Sequence, residues 1–279
     1  MTKINRFRPK EIAILKALAR YKFLTYDQMI RLGIANHTSN LSSVTKGLRE
    51  VKRPYIKKIP HRVGTPIKHF LTKRGKDALV ELYHLQESDI NYPIGSILTD
   101  TQDQKHRTSI ISIQIEVDLA AQAEGLEMLF CDRYFDTTGN NRVDKNLKSK
   151  TAFHCTDTQT VKADLIFSLQ TPKQQEYYVL ELENGKDSAK AVDKCINHAK
   201  ALLKGSLNEK LGFSTGYRAL WVFEYKSIME KVIVKLQSIS LFEHLHEYFL
   251  FKPLNQIEKE ILSGWKNVSA RERNLYYRD

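Results

Sequence analysis

Residues 177–187 read YYVLELENGKD. Tyr178, Leu180 and Leu182 alternate with Tyr177, Val179, Glu181 and Glu183, the two-residue period of a strand. One face is wholly apolar. The other begins apolar and then carries two carboxylates, Glu181 and Glu183, which a strand sets about 6.6 Å apart on one side. Like charges so placed oppose burial. Two readings offset them: the strand end emerges into water, or a divalent cation sits there.

Working outward, VKADLIFSL (161–169) reads as a strand and TPKQQ (171–175) as a turn, so 161–183 forms a hairpin. Beyond it, 186–204 has helical period and YRALWVFEY (217–225) is another strand. Upstream lie a long amphipathic helix from Gln104 to Glu124, a strand LEMLFC (126–131), and a polar stretch over 133–160. Structureless loops of that length are usually functional or mobile.

From 104 onward the order is therefore helix, strand, strand, strand, helix, strand. This is the core order of the restriction-endonuclease-like nuclease fold, which takes an Asp from its second strand and (D/E)-x-K from its third. The two carboxylates of that scheme bind Mg²⁺ or Mn²⁺, which polarises phosphate and lowers the pKa of an attacking water. Asp164 is the acid in an otherwise apolar second strand, and Glu181 follows 17 residues later across the hairpin. Asp164, Glu181 and Glu183 are thus the candidate metal ligands and catalytic acids. Glu183 departs from the pattern, standing where the motif has lysine. Lys186, Lys190 and Lys194, on the following helix, are candidates to supply it. Glu116, on the first helix, is a further candidate against the reading of a solvent-facing glutamate, and His106 is read as a surface histidine in preference to one that touches phosphate or transfers a proton.

The first third of the chain carries the charge. Residues 1–86 hold 19 Lys and Arg against 5 Asp and Glu, a charge of +14, whereas the remainder holds 25 against 27, a charge of −2. Such a footprint favours a polyanionic partner, against the alternative of a solvated basic surface. Pro9 opens a first helix, Thr25 caps a short second one that Gly33 closes, and HTSNLSSVTKGLREV (37–51) makes a third. In that third helix Leu41, Val44, Leu48 and Val51 form the apolar face. Two short strands, YIKKIP and PIKHFLT, joined by HRVGT, precede a final helix from Thr72. Three helices, a basic hairpin and another helix describe a winged helix-turn-helix.

In that architecture the third helix enters the major groove and the hairpin tip meets phosphates. Ser39, Asn40, Ser43, Lys46 and Arg49 would face the DNA from the helix, and Lys57, Lys58, His61 and Arg62 from the hairpin. Winged helices also serve for protein docking or dimerisation, an alternative the local charge opposes. Residues 87–103 contain Pro93 and Gly95, lack helical period, and read as a linker. The expected organisation is α+β: a winged-helix domain over 1–86, a linker, and a restriction-endonuclease-like domain with a mixed sheet over 104–279.

A winged helix joined to such a domain resembles the replication-relaxation proteins and MOB-C type relaxases, which include plasmid mobilisation proteins. The resemblance rests on LTKRGKDAL (71–79), KHRTSIISIQIEVDL (105–119), VKADLIFSL and YVLELENGKDS (178–188). It implies a protein that recognises an origin of transfer or replication in double-stranded DNA and nicks it with a metal-bearing acidic cluster. Asp164, Glu181 and Glu183 would be the ligands, and mobilisation or replication proteins the partners. The rival is a non-enzymatic DNA-binding regulator whose nuclease-like domain has degenerated.

Other classes fit less well. Hydrophobic residues make up 42% and charged residues 27% of the 279, as in ordinary globular proteins, and no apolar run reaches the roughly 20 residues a membrane helix needs. Cys131, Cys155 and Cys195 form no CxxC pair, and the N-terminal stretch lacks a signal-peptide pattern, so a reducing cytoplasm is expected. No phosphate-cradling GxxxxGK[ST] loop appears. His244-Leu245-His246 has the His-hydrophobic-His form of tyrosine relaxases, but LFEHLHEYF reads as amphipathic helix with no third ligand.

Overall fold

The structure, a computed structural model, describes residues 7–59, 65–93, 103–138 and 148–276. It is of α+β type and divides into two compact units, 1–115 and 116–279. The dividing point falls within a long helix, whereas the sequence pattern sets it in 87–103. Arg62 and His61 lie outside the described residues.

The first unit runs α1 (Pro9–Tyr21), β1 (Phe23–Leu24), α2 (Tyr26–Arg31), α3 (Thr38–Arg49), β2 (Ile56–Lys58), β3 (His69–Leu71), α4 (Lys73–Tyr83) and the beginning of α5 (Gln104–Ala123). Its three strands are antiparallel in the order β1-β3-β2. Local chemistry sets the boundaries. Thr25 Oγ1 accepts from the Gln28 amide at 3.3 Å and Gln28 Oε1 from the Thr25 amide at 2.9 Å, a reciprocal cap on α2. Gly33, with φ +71°, takes the left-handed turn that ends it. Thr72 caps α4 by accepting from the Gly75 amide at 3.2 Å.

The apolar face of α3 differs from expectation at its end. Leu41 and Leu48 are buried, but Val51 lies beyond the helix and is exposed. Thr45 is buried instead, its hydroxyl 2.7 Å from that of Tyr26 and donating to the Ser42 carbonyl at 3.2 Å, so its polar atom is satisfied. Residues 87–93, assigned to the linker from sequence, pack on this unit. Asn91 donates from its backbone to the Ala19 carbonyl (2.7 Å) and from its side chain to that of Arg20 (2.9 Å), and Ile90 is buried. Buried Gln28 donates to the Thr108 carbonyl and to Ser112 Oγ of α5, each at 3.0 Å.

In the second unit α5 leads into β4 (Glu127–Arg133). Two small hairpins follow, β5 (Thr137–Thr138) with β6 (Lys148–Ser149) and β7 (Ala152–His154) with β8 (Thr160–Lys162). Next come β9 (Leu165–Gln170), β10 (Gln175–Glu183), α6 (Ser188–Lys204), α7 (Ser206–Leu211), β11 (Tyr217–Phe223) and α8 (Lys226–Gln237). The unit continues with β12 (Phe249–Pro253), α9 (Leu254–Ile257), β13 (Trp265–Asn267) and β14 (Glu272–Arg273). The large sheet is ordered β14-β13-β12-β11-β10-β9-β4. It is mixed: β4, β9 and β10 form an antiparallel meander, whereas β10, β11 and β12 run parallel, connected through α6 and α8. The anticipated order appears as α5, β4, β9, β10, α6, β11, with the two hairpins inserted in the polar stretch and three strands added at one edge.

Two expectations give way to the structure. The stretch 161–169 is not one strand. Val161 and Lys162 belong to β8, β9 begins at Leu165, and Asp164 occupies the bend between them. LFEHLHEYF is not an amphipathic helix but a 3₁₀ turn over Ser240–Phe242 and further turns leading into β12, so neither His244 nor His246 lies on a strand.

Helix α6 places the site. Asp187 caps it, its Oδ1 accepting from the amides of Ala189 (3.0 Å) and Lys190 (3.1 Å). Ala191, Val192, Cys195 and Ala199, at helical spacing, join Val179, Ala219 and Trp221 of the sheet in one buried cluster. Tyr178, on the opposite face of β10, stacks on Phe167 at 4.9 Å. The face of β10 that carries Glu181 and Glu183 is therefore the one beneath α6.

Candidate functional site

Asp164 is set beside β10 because β9 and β10 are paired with Leu165 opposite Leu180. The Asp164 amide donates to the Leu180 carbonyl at 3.1 Å, and its Oδ2 accepts from the Leu182 amide at 2.8 Å. The side chain thus completes the ladder at the point where the strand bends away.

Helix α6 contributes two side chains one turn apart. Lys194 Nζ donates to Glu183 Oε1 at 2.5 Å and stands 3.8 Å from Glu181 Oε2. His198 Nε2 is 2.8 Å from Glu181 Oε1. Glu181 and His198 are buried, while Glu183 and Lys194 are half-buried. Burial is the strongest single influence on Lys194 and opposes its charge. Glu181, Glu183 and Asp164 nevertheless hold its pKa above the ordinary lysine value. His198 is lowered to about 3, first by burial and then by Lys194. So low a value leaves the imidazole neutral near pH 7. Burial, then Glu183 and Glu181, push the Cys195 thiol well up, so it is no nucleophile.

Of the sequence-predicted acids, Asp164 is tied to the Leu182 amide, while Glu181 and Glu183 lie on the face of β10 beneath α6. Of the three lysines considered, Lys194 reaches them. Lys190 is exposed, and Lys186 lies with its Nζ 5.1 Å from the ring centre of Tyr225. Glu116 is half-buried on α5. His198 was missed. The signal for it was a polar residue on the apolar stripe Ala191, Val192, Cys195, Ala199. Among the described residues no group of three or more His, Cys, Asp and Glu is arranged to hold a metal ion. The acids are gathered around an ammonium instead. Their carboxylate oxygens are the hard donors that Mg²⁺ and Mn²⁺ prefer.

In the first unit Ser39, Asn40, Ser43 and Lys46 are exposed along α3, and Lys57 and Lys58 are exposed on β2. Arg49 is half-buried and folds back, its Nε donating to the Thr45 carbonyl at 3.1 Å. Among the described residues no helix is long and apolar enough to cross a membrane. Comparison with family models, curated proteins and solved structures gave no match.

Proposed function

We propose that this chain binds origin DNA of a mobile element through a winged helix in its first unit and nicks it at the acidic cluster of the second. The reading includes the resemblance to replication-relaxation proteins and MOB-C type relaxases. The observation that carries it is Lys194, whose ammonium reaches Glu183 at 2.5 Å and lies within 3.8 Å of Glu181. A lysine beside two carboxylates at the end of a paired strand is the constellation that metal-dependent phosphodiester cleavage uses, and here the following helix supplies it. Asp164 and Glu181 would hold Mg²⁺ or Mn²⁺, which when bound supplies charge neutralisation and an acidified water. Lys194 would face the developing negative charge on the phosphate. In the first unit, the order of helices and strands and the exposed Ser39, Asn40, Ser43, Lys46, Lys57 and Lys58 support duplex binding.

The test is nicking of supercoiled plasmid bearing the element's own origin, with Mg²⁺ or Mn²⁺ and with chelator. Wild type is expected to give open circles only with metal, and Asp164→Asn none. Asn is the right replacement because its carbonyl can still accept from the Leu182 amide. Origin binding without nicking in any metal would end the enzyme reading and leave the regulator.

A further inference from the structure

Glu181 is held by more than its strand. Its Oε1 lies 2.8 Å from His198 Nε2, and the imidazole is itself fixed on several sides. Phe153 and Trp221 meet the ring edge-to-face, with centroids at 5.8 and 5.5 Å, and the Tyr217 hydroxyl donates to the His198 carbonyl at 3.2 Å. The ring is 1% exposed, and its Nδ1 has no hydrogen-bond partner among the described residues. An unpartnered buried nitrogen costs about 1–3 kcal/mol. A leucine would fill such a place in an apolar cluster without that cost. The nitrogen that does have a partner points at Glu181.

We infer that His198 is a positioning residue: its Nε2–H holds the Glu181 carboxylate in one orientation beside Lys194, ready for a divalent ion before the ion arrives. The inference rests on the reading of Glu181 as a ligand. Lys194 and His198, four residues apart on one face of α6, lie 3.8 and 2.8 Å from the two oxygens of the same carboxylate. Fixing the rotation of a ligating carboxylate removes conformational freedom that the ion would otherwise have to restrain. Outer partners of this kind are worth about 10–100-fold in metal affinity.

The test uses the full chain and Mn²⁺ alone, followed by electron paramagnetic resonance of the free ion. The variants are His198→Phe, which keeps the ring and loses the donor, and His198→Gln, whose amide nitrogen lies near the place of Nε2. His198→Phe is expected to weaken Mn²⁺ binding about 10–100-fold, and His198→Gln to recover most of the loss. Equal affinity in wild type and a folded His198→Phe would overturn the inference, as would His198→Gln binding as weakly as His198→Phe. A second arm needs no metal: nitrogen NMR of the imidazole should show the proton on Nε2 in wild type, and a proton on Nδ1 would refute the role. If wild type binds no Mn²⁺ through Asp164, the nuclease reading falls. The inference that His198 readies Glu181 for an ion falls with it, and the tautomer then reports only whether His198 holds the carboxylate.

Discussion

Acid should loosen the first unit through one histidine. His69 is wholly buried on β3, its ring stacked on Tyr26 with centroids 4.9 Å apart and planes 18° from parallel. Neither ring nitrogen has a partner in hydrogen-bond geometry among the described residues. Burial first, then Arg49 and Lys58, lower its pKa from 6.5 to about 3, with the Leu24 backbone the weakest influence and pulling the other way. The folded pKa lies below the unfolded one, so as pH falls the unfolded chain takes up the proton first. The stability at stake is intact above pH 6.5 and erodes as pH drops toward 3. At about 1.4 kcal/mol per pH unit, moving from pH 7 to pH 5 costs about 2 kcal/mol from this group alone. Amide hydrogen exchange in α1 and β3, at both pH values, would read it. His69→Phe keeps the stack and cannot titrate, so its exchange protection should fall about 2 kcal/mol less than that of wild type. Parallel losses in the two proteins would show that His69 is not the cause.

Further perturbations separate the parts. Lys194→Met should lower nicking by about 100-fold or more while leaving origin binding unchanged, since it removes the ammonium and no DNA-facing residue of the first unit; a plasmid assay beside a mobility shift decides it. Replacing Lys57 and Lys58 with Ala should weaken binding to all duplexes alike and make the salt slope shallower by about 0.9 for each phosphate the two ammonium groups neutralise, whereas Asn40→Ala should narrow the gap between origin and random DNA, both read by fluorescence anisotropy. Gly75→Ala should destabilise the first unit by about 1–3 kcal/mol in urea titration, because a Cβ there would stand 2.2 Å from the Tyr55 carbonyl oxygen.

The sequence carried the local structure well where caps and periods act over a few residues. Thr25 and Thr72 sit where the helices begin, and the alternation from Tyr177 to Glu183 follows β10 to its end. It misled where tertiary contacts decide. Val51 continues the apolar spacing of α3, yet the helix ends at Arg49. Asp164 lies in an apolar run that looks continuous, but the backbone bends there and the run is shared by two sheets. Around the candidate site, the pairing that sets Asp164 beside β10 was legible because hairpin pairing is a short-range fact. Lys194 was less so, because Lys186, Lys190, Lys194 and His198 follow one another at intervals of four, although Lys186 precedes the helix and only the other three lie along it. A helix rises about 1.5 Å per residue and a strand about 3.3 Å. As α6 runs back over β10, its second and third turns come level with Glu181 and Glu183, and the earlier lysines remain above the strand end.

The hydrogen bond from the Leu182 amide to Asp164 has a consequence for natural variation at that position. Folding asks residue 164 for an acceptor on a short side chain, which Asp and Asn both supply. On the proposed nuclease reading, cleavage would ask it for a negative charge, which only Asp supplies at that length. On that reading, relatives that bind DNA without cutting it would be expected to carry Asn at 164, not a random assortment of residues. A sequence collection of this chain's kin, sorted on that single letter, would divide the cutters from the binders.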